Sequence, residues 1–313
     1  MKRFAWFSFW LVAAIWGSSF LLIRVGVEQF TPGQVAFIRC VIAAVGLNAV
    51  LLLRGKRYPT DPKIWVAIVL VGIGNASLPY WLIGLSEQII TSSLASVIQA
   101  TVPLFSLVIA HFMLADERIT PPKIAGLALG FIGVSVLALR QGSLSGEMTG
   151  VLLMVLGSFF YGLFAVFNRR TLSSRVEPIV IAGSTFIIST ISALGIVLIE
   201  PALGIASAND VPITGDAWFA VIMLGLVNTF VAYLFFYFII RELGAFRATS
   251  VTYIVPVFGV TLGALTGETI DIVLILGAAL ILSGIAVINL GGRVWSYGRT
   301  RFGRGAGAVV PQV

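Results

Sequence analysis

Charge is scarce in this chain. Asp, Glu, Lys and Arg make up only 11% of its 313 residues, against 58% hydrophobic residues and a mean hydropathy of +1.04. A soluble domain needs far more polar surface, so composition excludes one and leaves a polytopic membrane protein. The single cysteine, Cys40, excludes an intramolecular disulfide. Histidine also occurs once, as His111. No acid lies deep in an apolar run: Glu28, Glu87, Glu117 and Glu268 all fall at ends or in linkers. That poverty argues against a membrane enzyme, which needs a nucleophile–base set, paired deep carboxylates or a metal cluster. No cofactor and no metal site is expected. The chain has no GxxxxGK[ST] loop for ATP. The net charge is +7, but the basic residues lie between apolar runs rather than in one patch, so a nucleic-acid partner is not expected.

Long apolar runs are abundant. A hydrocarbon core of about 30 Å takes about 20 helical residues. Ten runs meet that need: 4–23, 33–53, 64–84, 93–114, 124–139, 148–167, 179–199, 217–239, 248–266 and 272–291. The opening "MKRFAWFSFWLVAAIW" imitates a signal peptide, but its apolar stretch continues to Ile23, so it reads as an uncleaved first span. Alternating the linkers between two sides puts 17 of the 20 Lys and Arg on one side. The loop-charge rule then predicts a cytoplasmic (plasma or inner) membrane protein with both termini cytoplasmic. Residues 292–313, rich in Gly and Arg, are expected to form a disordered basic tail.

The two halves echo one another. Ala95, Val102, Pro103 and Phe105 match Ala248, Val255, Pro256 and Phe258 at an offset of 153, as Asn75 and Tyr80 match Asn228 and Tyr233. Trp16-Gly17 matches Tyr161-Gly162, and Glu117, Gly126 and Gly133 match Glu268, Gly277 and Gly284. Each half holds five spans, an odd number, so the second must enter the bilayer from the opposite side. The expected fold is an all-α integral membrane protein of ten transmembrane helices, built as two inverted-topology five-helix repeats, residues 4–139 and 148–291.

The order and duplication of "WGSSF" at 16–20, "FIRCVIAA" at 37–44 and the long stretches at 95–134 and 248–288 carry a resemblance. The chain resembles the drug/metabolite transporter superfamily in its EamA-like branch. That resemblance implies a secondary carrier exporting small metabolites, amino acids or related amphipathic solutes, aromatic ones included. Alternatives are a proton-coupled efflux carrier for drugs or toxic compounds, and a membrane scaffold that transports nothing. Its partners are then the bilayer and a small-molecule substrate, with the chain a monomer or a homodimer.

Inverted-repeat carriers bind substrate near the midplane. Asn75 and Asn228 fall there; a buried carboxamide needs partners, so each either glues helices or faces a cavity. Pro103 and Pro256 free the carbonyls of Gln99 and Thr252, giving a hinge or a fixed kink in each half. Trp16, Tyr80, Tyr161, Tyr233 and Tyr253, with Gln99, complete the candidate substrate-binding set. His111 is the candidate proton site if it titrates, and a packed neutral side chain otherwise. Arg39, roughly 9 Å into the second span, snorkels, pairs within the protein or meets an anionic substrate group. The neutral polar and aromatic lining favours a zwitterion or an uncharged solute over a highly charged one. Gly126, Gly130 and Gly133, with Gly277, Ala279 and Ser283, make smooth helix faces suited to packing the halves together or to a dimer.

Overall fold

In the computed structural model, residues 2–139, 146–205 and 212–302 are described. Ten of their helices are long and apolar enough to cross a membrane. They are α1 (Lys2–Val27), α2 (Pro32–Leu53), α3 (Pro62–Glu87), α4 (Ser92–Met113), α5 (Pro121–Ala138), α6 (Gly146–Thr171), α7 (Pro178–Leu203), α8 (Gly215–Leu243), α9 (Arg247–Leu265) and α10 (Ile272–Phe302). α10 carries helix into the expected tail, and residues 303–313 lie outside the described residues.

Local chemistry sets the helix starts. Thr31 and Gln34 form a reciprocal capping box at the start of α2, ahead of Pro32. Asp61 caps Lys63 N–H before α3, and Thr91 caps Leu94 N–H before α4. These side chains satisfy N–H groups that no helical carbonyl reaches. Along the flanks of the bundle, large apolar side chains such as Phe112, Leu139, Leu198 and Leu265 point outward, as lipid requires.

Four of the spans are interrupted, in matching pairs. α3 contains a π-helical turn at Ile73–Ser77, and α8 contains another at Leu226–Val231. These turns start 153 residues apart and hold Asn75 and Asn228. Among the carbonyls beside them, that of Gly72 accepts from the Ser189 hydroxyl (2.7 Å) and that of Leu224 from the Thr229 hydroxyl (2.8 Å). The spans bearing Pro103 and Pro256 are broken outright. α4 divides into Ser92–Gln99 and Val102–Met113. The α9 stretch divides into Ala245–Thr249, a 3₁₀ turn at Ser250–Tyr253, and Val255–Leu265. Each proline therefore sits in the first turn of a new helix, where its missing N–H costs nothing.

Glycines let neighbouring spans close on these breaks. Gly17 of α1 lies against Val255, Phe258 and Gly259, just past Pro256. Gly162 of α6 lies against Val102, Phe105 and Ser106, just past Pro103. A Cβ at Gly162 would stand 2.9 Å from the Phe105 Cβ, and one at Gly17 would collide with the Phe258 Cβ. α5 and α10 meet along their glycine faces, Gly126 against the Gly284 backbone and Gly133 against that of Gly277, so these smooth faces pack the two halves together.

The principal packing follows a simple exchange. α1 packs on α8 and α9, while α6 packs on α3 and α4; α2 pairs with α7, α4 with α9 and α5 with α10. Replacing each helix by the one five positions along leaves these pairings unchanged. The exchange fails around Leu78–Glu87 and Ser92–Gln99: α2 packs on Leu78–Glu87, while the counterpart of α7 with Ala232–Leu243 is not among the principal pairs. α1 also packs on Leu78–Glu87 and Ser92–Gln99, but the counterpart contacts of α6 with Ala232–Leu243 and Ala245–Thr249 are not among the principal pairs.

Polar links hold both ends. At one end Glu200 accepts from Thr31 Oγ1 (2.5 Å), Gly33 N–H (2.7 Å) and Trp81 Nε1 (2.9 Å). Glu268 accepts there from the backbone N–H and hydroxyl of both Ser92 and Ser93, at 2.5–2.9 Å. Arg24 donates to the Glu87 and Ile90 carbonyls. At the other end Lys56 pairs with Glu177 (2.7 Å), and Arg169 with Asp116 (2.7 Å) and Glu117 (3.0 Å). Two acids at span ends are buried: Glu87 is 0% exposed and Glu200 1%. Helix ends here are packed inside the bundle rather than projecting from it.

Candidate functional site

The breaks and π turns surround one central cavity of about 260 Å³. α1 contributes Trp16, Ser19, Phe20 and Ile23, and α3 contributes Asn75, Tyr80 and Ile83. Ser96, Gln99 and Val102 come from α4, Tyr161 from α6, Asn228 and Tyr233 from α8, and Thr252 and Val255 from the α9 stretch. Arg39 reaches it from α2. Sequence positions as far apart as 16 and 255 thus share one wall, because each half supplies the same kinds of helix break to the middle of the bundle.

Of the candidate set, Trp16, Asn75, Tyr80, Gln99, Tyr161, Asn228 and Tyr233 line the cavity. Tyr253 does not: its hydroxyl accepts from Asn289 of α10 (2.8 Å), and its neighbour Thr252 takes the lining position. The 3₁₀ turn ahead of Pro256 rotates the chain away from the α-helical register that the sequence suggests. His111 is exposed near the end of α4, its Nδ1 accepting from the Ile119 N–H (3.3 Å), and it is not among the lining residues. Pro103 and Pro256 stand beside lining residues rather than among them.

The two asparagines have different surroundings. Asn228 is 2% exposed and its Nδ2 donates to Ser18 Oγ and Ser19 Oγ (both 3.0 Å) and to the Ile15 carbonyl, tying α8 to α1. Asn75 is half-buried in the lining and makes no hydrogen bond among the described residues. Gln99 keeps its side chain oriented by accepting from Ser158 Oγ (3.3 Å). Aromatic contacts fix the remaining wall: Trp16 against Phe236, Tyr80 against Tyr161, and Tyr233 against Phe186 and Tyr237.

Arg39 turns inward rather than snorkelling, and the residue is only 8% exposed. Its Nε donates to Thr229 Oγ1 (2.8 Å), and its guanidinium carbon sits 3.9 Å from the Tyr80 ring centroid. That acceptor lies within the π turn of α8. The expected neutral lining therefore needs correction, since it includes a permanent cation. The signal for this was the isolated basic residue in "FIRC"; the π turn that receives it left no clear mark in the sequence. Residues Thr229 and Ser158 also went unrecognised, because single hydroxyls in apolar runs are too common to single out.

Ten apolar helices around a polar, aromatic cavity suit a membrane transporter. The chain belongs to the EamA-like transporter family, whose pattern matches residues 3–139 and again residues 148–290. It is 30% identical over 283 residues to the Uncharacterized inner membrane transporter YedA of Escherichia coli strain K12, covering 88% of each chain. It is 25% identical to a Probable amino-acid metabolite efflux pump of Salmonella typhimurium, covering 91% of this chain and 94% of that one. A solved crystal structure, 24% identical, superposes with a TM-score of 0.65 over 94% of this chain and 99% of the other, which shows the fold. The protein is thus a multi-pass inner-membrane transporter of this family.

Proposed function

We propose that the chain is a secondary carrier that exports small amphipathic metabolites, amino acids or related solutes, by alternating access between two inverted repeats. The broken exchange in the packing carries this reading. At the end holding Glu87, Ser92 and Glu268, α1 packs on Leu78–Glu87 and Ser92–Gln99, whereas the equivalent contacts of α6 at the Arg241 end are missing from the principal pairs. With the termini cytoplasmic, that asymmetry is a cavity closed to the outside and loosened toward the cell interior. Transport then needs only a swap of which end is packed, with Pro103 and Pro256 as the paired flexing points.

A relative named as an amino-acid metabolite efflux pump supports the same substrate range. The remote, exposed position of His111 weighs against a proton route through it. Solute counterflow in proteoliposomes, screened with amino acids, sugars, nucleosides and cationic dyes, tests the proposal. Saturable exchange of amino acids or similar amphiphiles is expected, and absence of exchange for every class refutes a carrier.

A further inference from the structure

Arg39 is a buried guanidinium whose partners account for only part of it. Thr229 takes Nε, and the Tyr80 ring covers one face. The two terminal nitrogens make no ion pair or hydrogen bond among the described residues, and the residue lines the cavity. The titratable groups that face the cation most strongly are Tyr80, Tyr161, Cys40 and Tyr233, none of them a carboxylate. Glu87 also senses Arg39, but it lies two turns along α3 from Tyr80 and makes no ion pair with it. A buried cation without a counter-ion is costly to maintain, and this one is held in a fixed orientation at both Nε and ring face.

We propose that Arg39 is the carboxylate-binding residue of this cavity, so that the transported solute carries a carboxylate beside an apolar or aromatic body. This rests on the carrier reading above and narrows its substrate class. With Nε occupied, the free Nη1–Nη2 edge matches the two oxygens of a carboxylate in a bidentate pair. Trp16, Phe20, Tyr161 and Tyr233 line the same cavity and offer surface for the solute's apolar part. Asn75, with its amide unpaired, offers an acceptor for an ammonium group, which suits an amino acid but is not required of the solute. Thr229 acts as a positioning residue through its bond to Nε. The same cation repels cationic amphiphiles, which sets this carrier apart from one for cationic drugs.

The test uses three probes of one shape: 3-phenylpropionate, 3-phenylpropionamide and phenethylammonium. Binding to purified full-length protein is followed by calorimetry, and exchange by counterflow in proteoliposomes. The carboxylate is expected to bind about tenfold or more tighter than the amide, as a charged hydrogen-bonded pair gives, with the cation weakest. Arg39→Gln should erase the preference, Arg39→Lys should keep part of it, and Thr229→Val should weaken carboxylate binding without changing amide binding. Equal binding of carboxylate and amide, no carboxylate binding, or a preference that survives Arg39→Gln overturns the assignment. Tight carboxylate binding with no exchange of any probe leaves Arg39 as an anion site and overturns the substrate assignment, while the carrier reading stands or falls with the wider counterflow screen. Equal exchange of all three probes keeps the carrier and overturns the assignment.

Discussion

Asn75 and Asn228 occupy equivalent places in two π-helical turns, yet Asn228 is bonded to α1 while Asn75 is left open to the cavity. The pair shares a register but not its surroundings. One ties α8 to α1, and the other lines the cavity without a hydrogen bond among the described residues.

The first prediction follows from that contrast. Asn228→Ala strips Nδ2 from Ser18, Ser19 and the Ile15 carbonyl, and should destabilise the protein by about 1–3 kcal/mol. Asn75→Ala removes no hydrogen bond among the described residues and should leave thermal unfolding near wild type while slowing counterflow. Equal destabilisation by both variants contradicts the assignment.

The second concerns the close approach of α1 and α6 to the broken spans. Gly17→Ala and Gly162→Ala force a methyl against Phe258 and Phe105, at an overpacking cost of about 1–3 kcal/mol each. Gly195, also helical, has nothing within 4 Å of a built Cβ and serves as the control. Gly195→Ala should be neutral or mildly stabilising in the same unfolding assay.

A third prediction compares two glutamates at one end of the bundle. Burial opposes ionisation of Glu268, but hydrogen bonds from the hydroxyls and N–H groups of Ser93 and Ser92 outweigh it and hold the carboxyl below its ordinary range. A carboxyl so lowered stabilises the fold above its unfolded-state pKa and loses that contribution as pH falls through the folded value. Glu268→Gln should therefore lower the melting temperature at neutral pH, with the difference from wild type vanishing in acid. Glu87, by contrast, has both side-chain oxygens buried without a hydrogen-bond partner among the described residues. Glu87→Gln should keep or raise the neutral-pH melting temperature, because a neutral amide is cheaper to bury than a carboxylate.

The prolines give a fourth. Pro103→Ala and Pro256→Ala restore an N–H at each break and favour continuous helices through 99–102 and 252–255. If the breaks flex during transport, both variants should slow counterflow more than they change thermal stability, and the double variant should be slower still. Unchanged rates assign the prolines to fixed shape.

Much of the fold was legible in the chain. Twenty-residue apolar runs are forced by bilayer thickness, and the matched register of Asn75/Asn228 and Pro103/Pro256 pointed to the middle of the bundle. Seven candidate lining residues meet there because polar groups inside apolar runs must find partners or water. Tyr253 was misplaced for a different reason. Counting along an α-helix cannot register a 3₁₀ turn, and it cannot tell which side of a helix faces the cavity. Glu87 and Glu200 hid in plain view at span ends, since depth along a helix does not measure burial between helices.

By itself the sequence determined the class, the ten spans and the residues that break them, because hydropathy and backbone chemistry act locally along the chain. Only the tertiary structure decided that Asn228 is bonded and Asn75 open to the cavity, that Arg39 turns inward onto Tyr80 and Thr229, and that α1 packs on Leu78–Glu87 and Ser92–Gln99. Those facts depend on how helices remote in sequence pack, and hydrogen bonds form only where donor and acceptor atoms on such helices come within about 3 Å of one another.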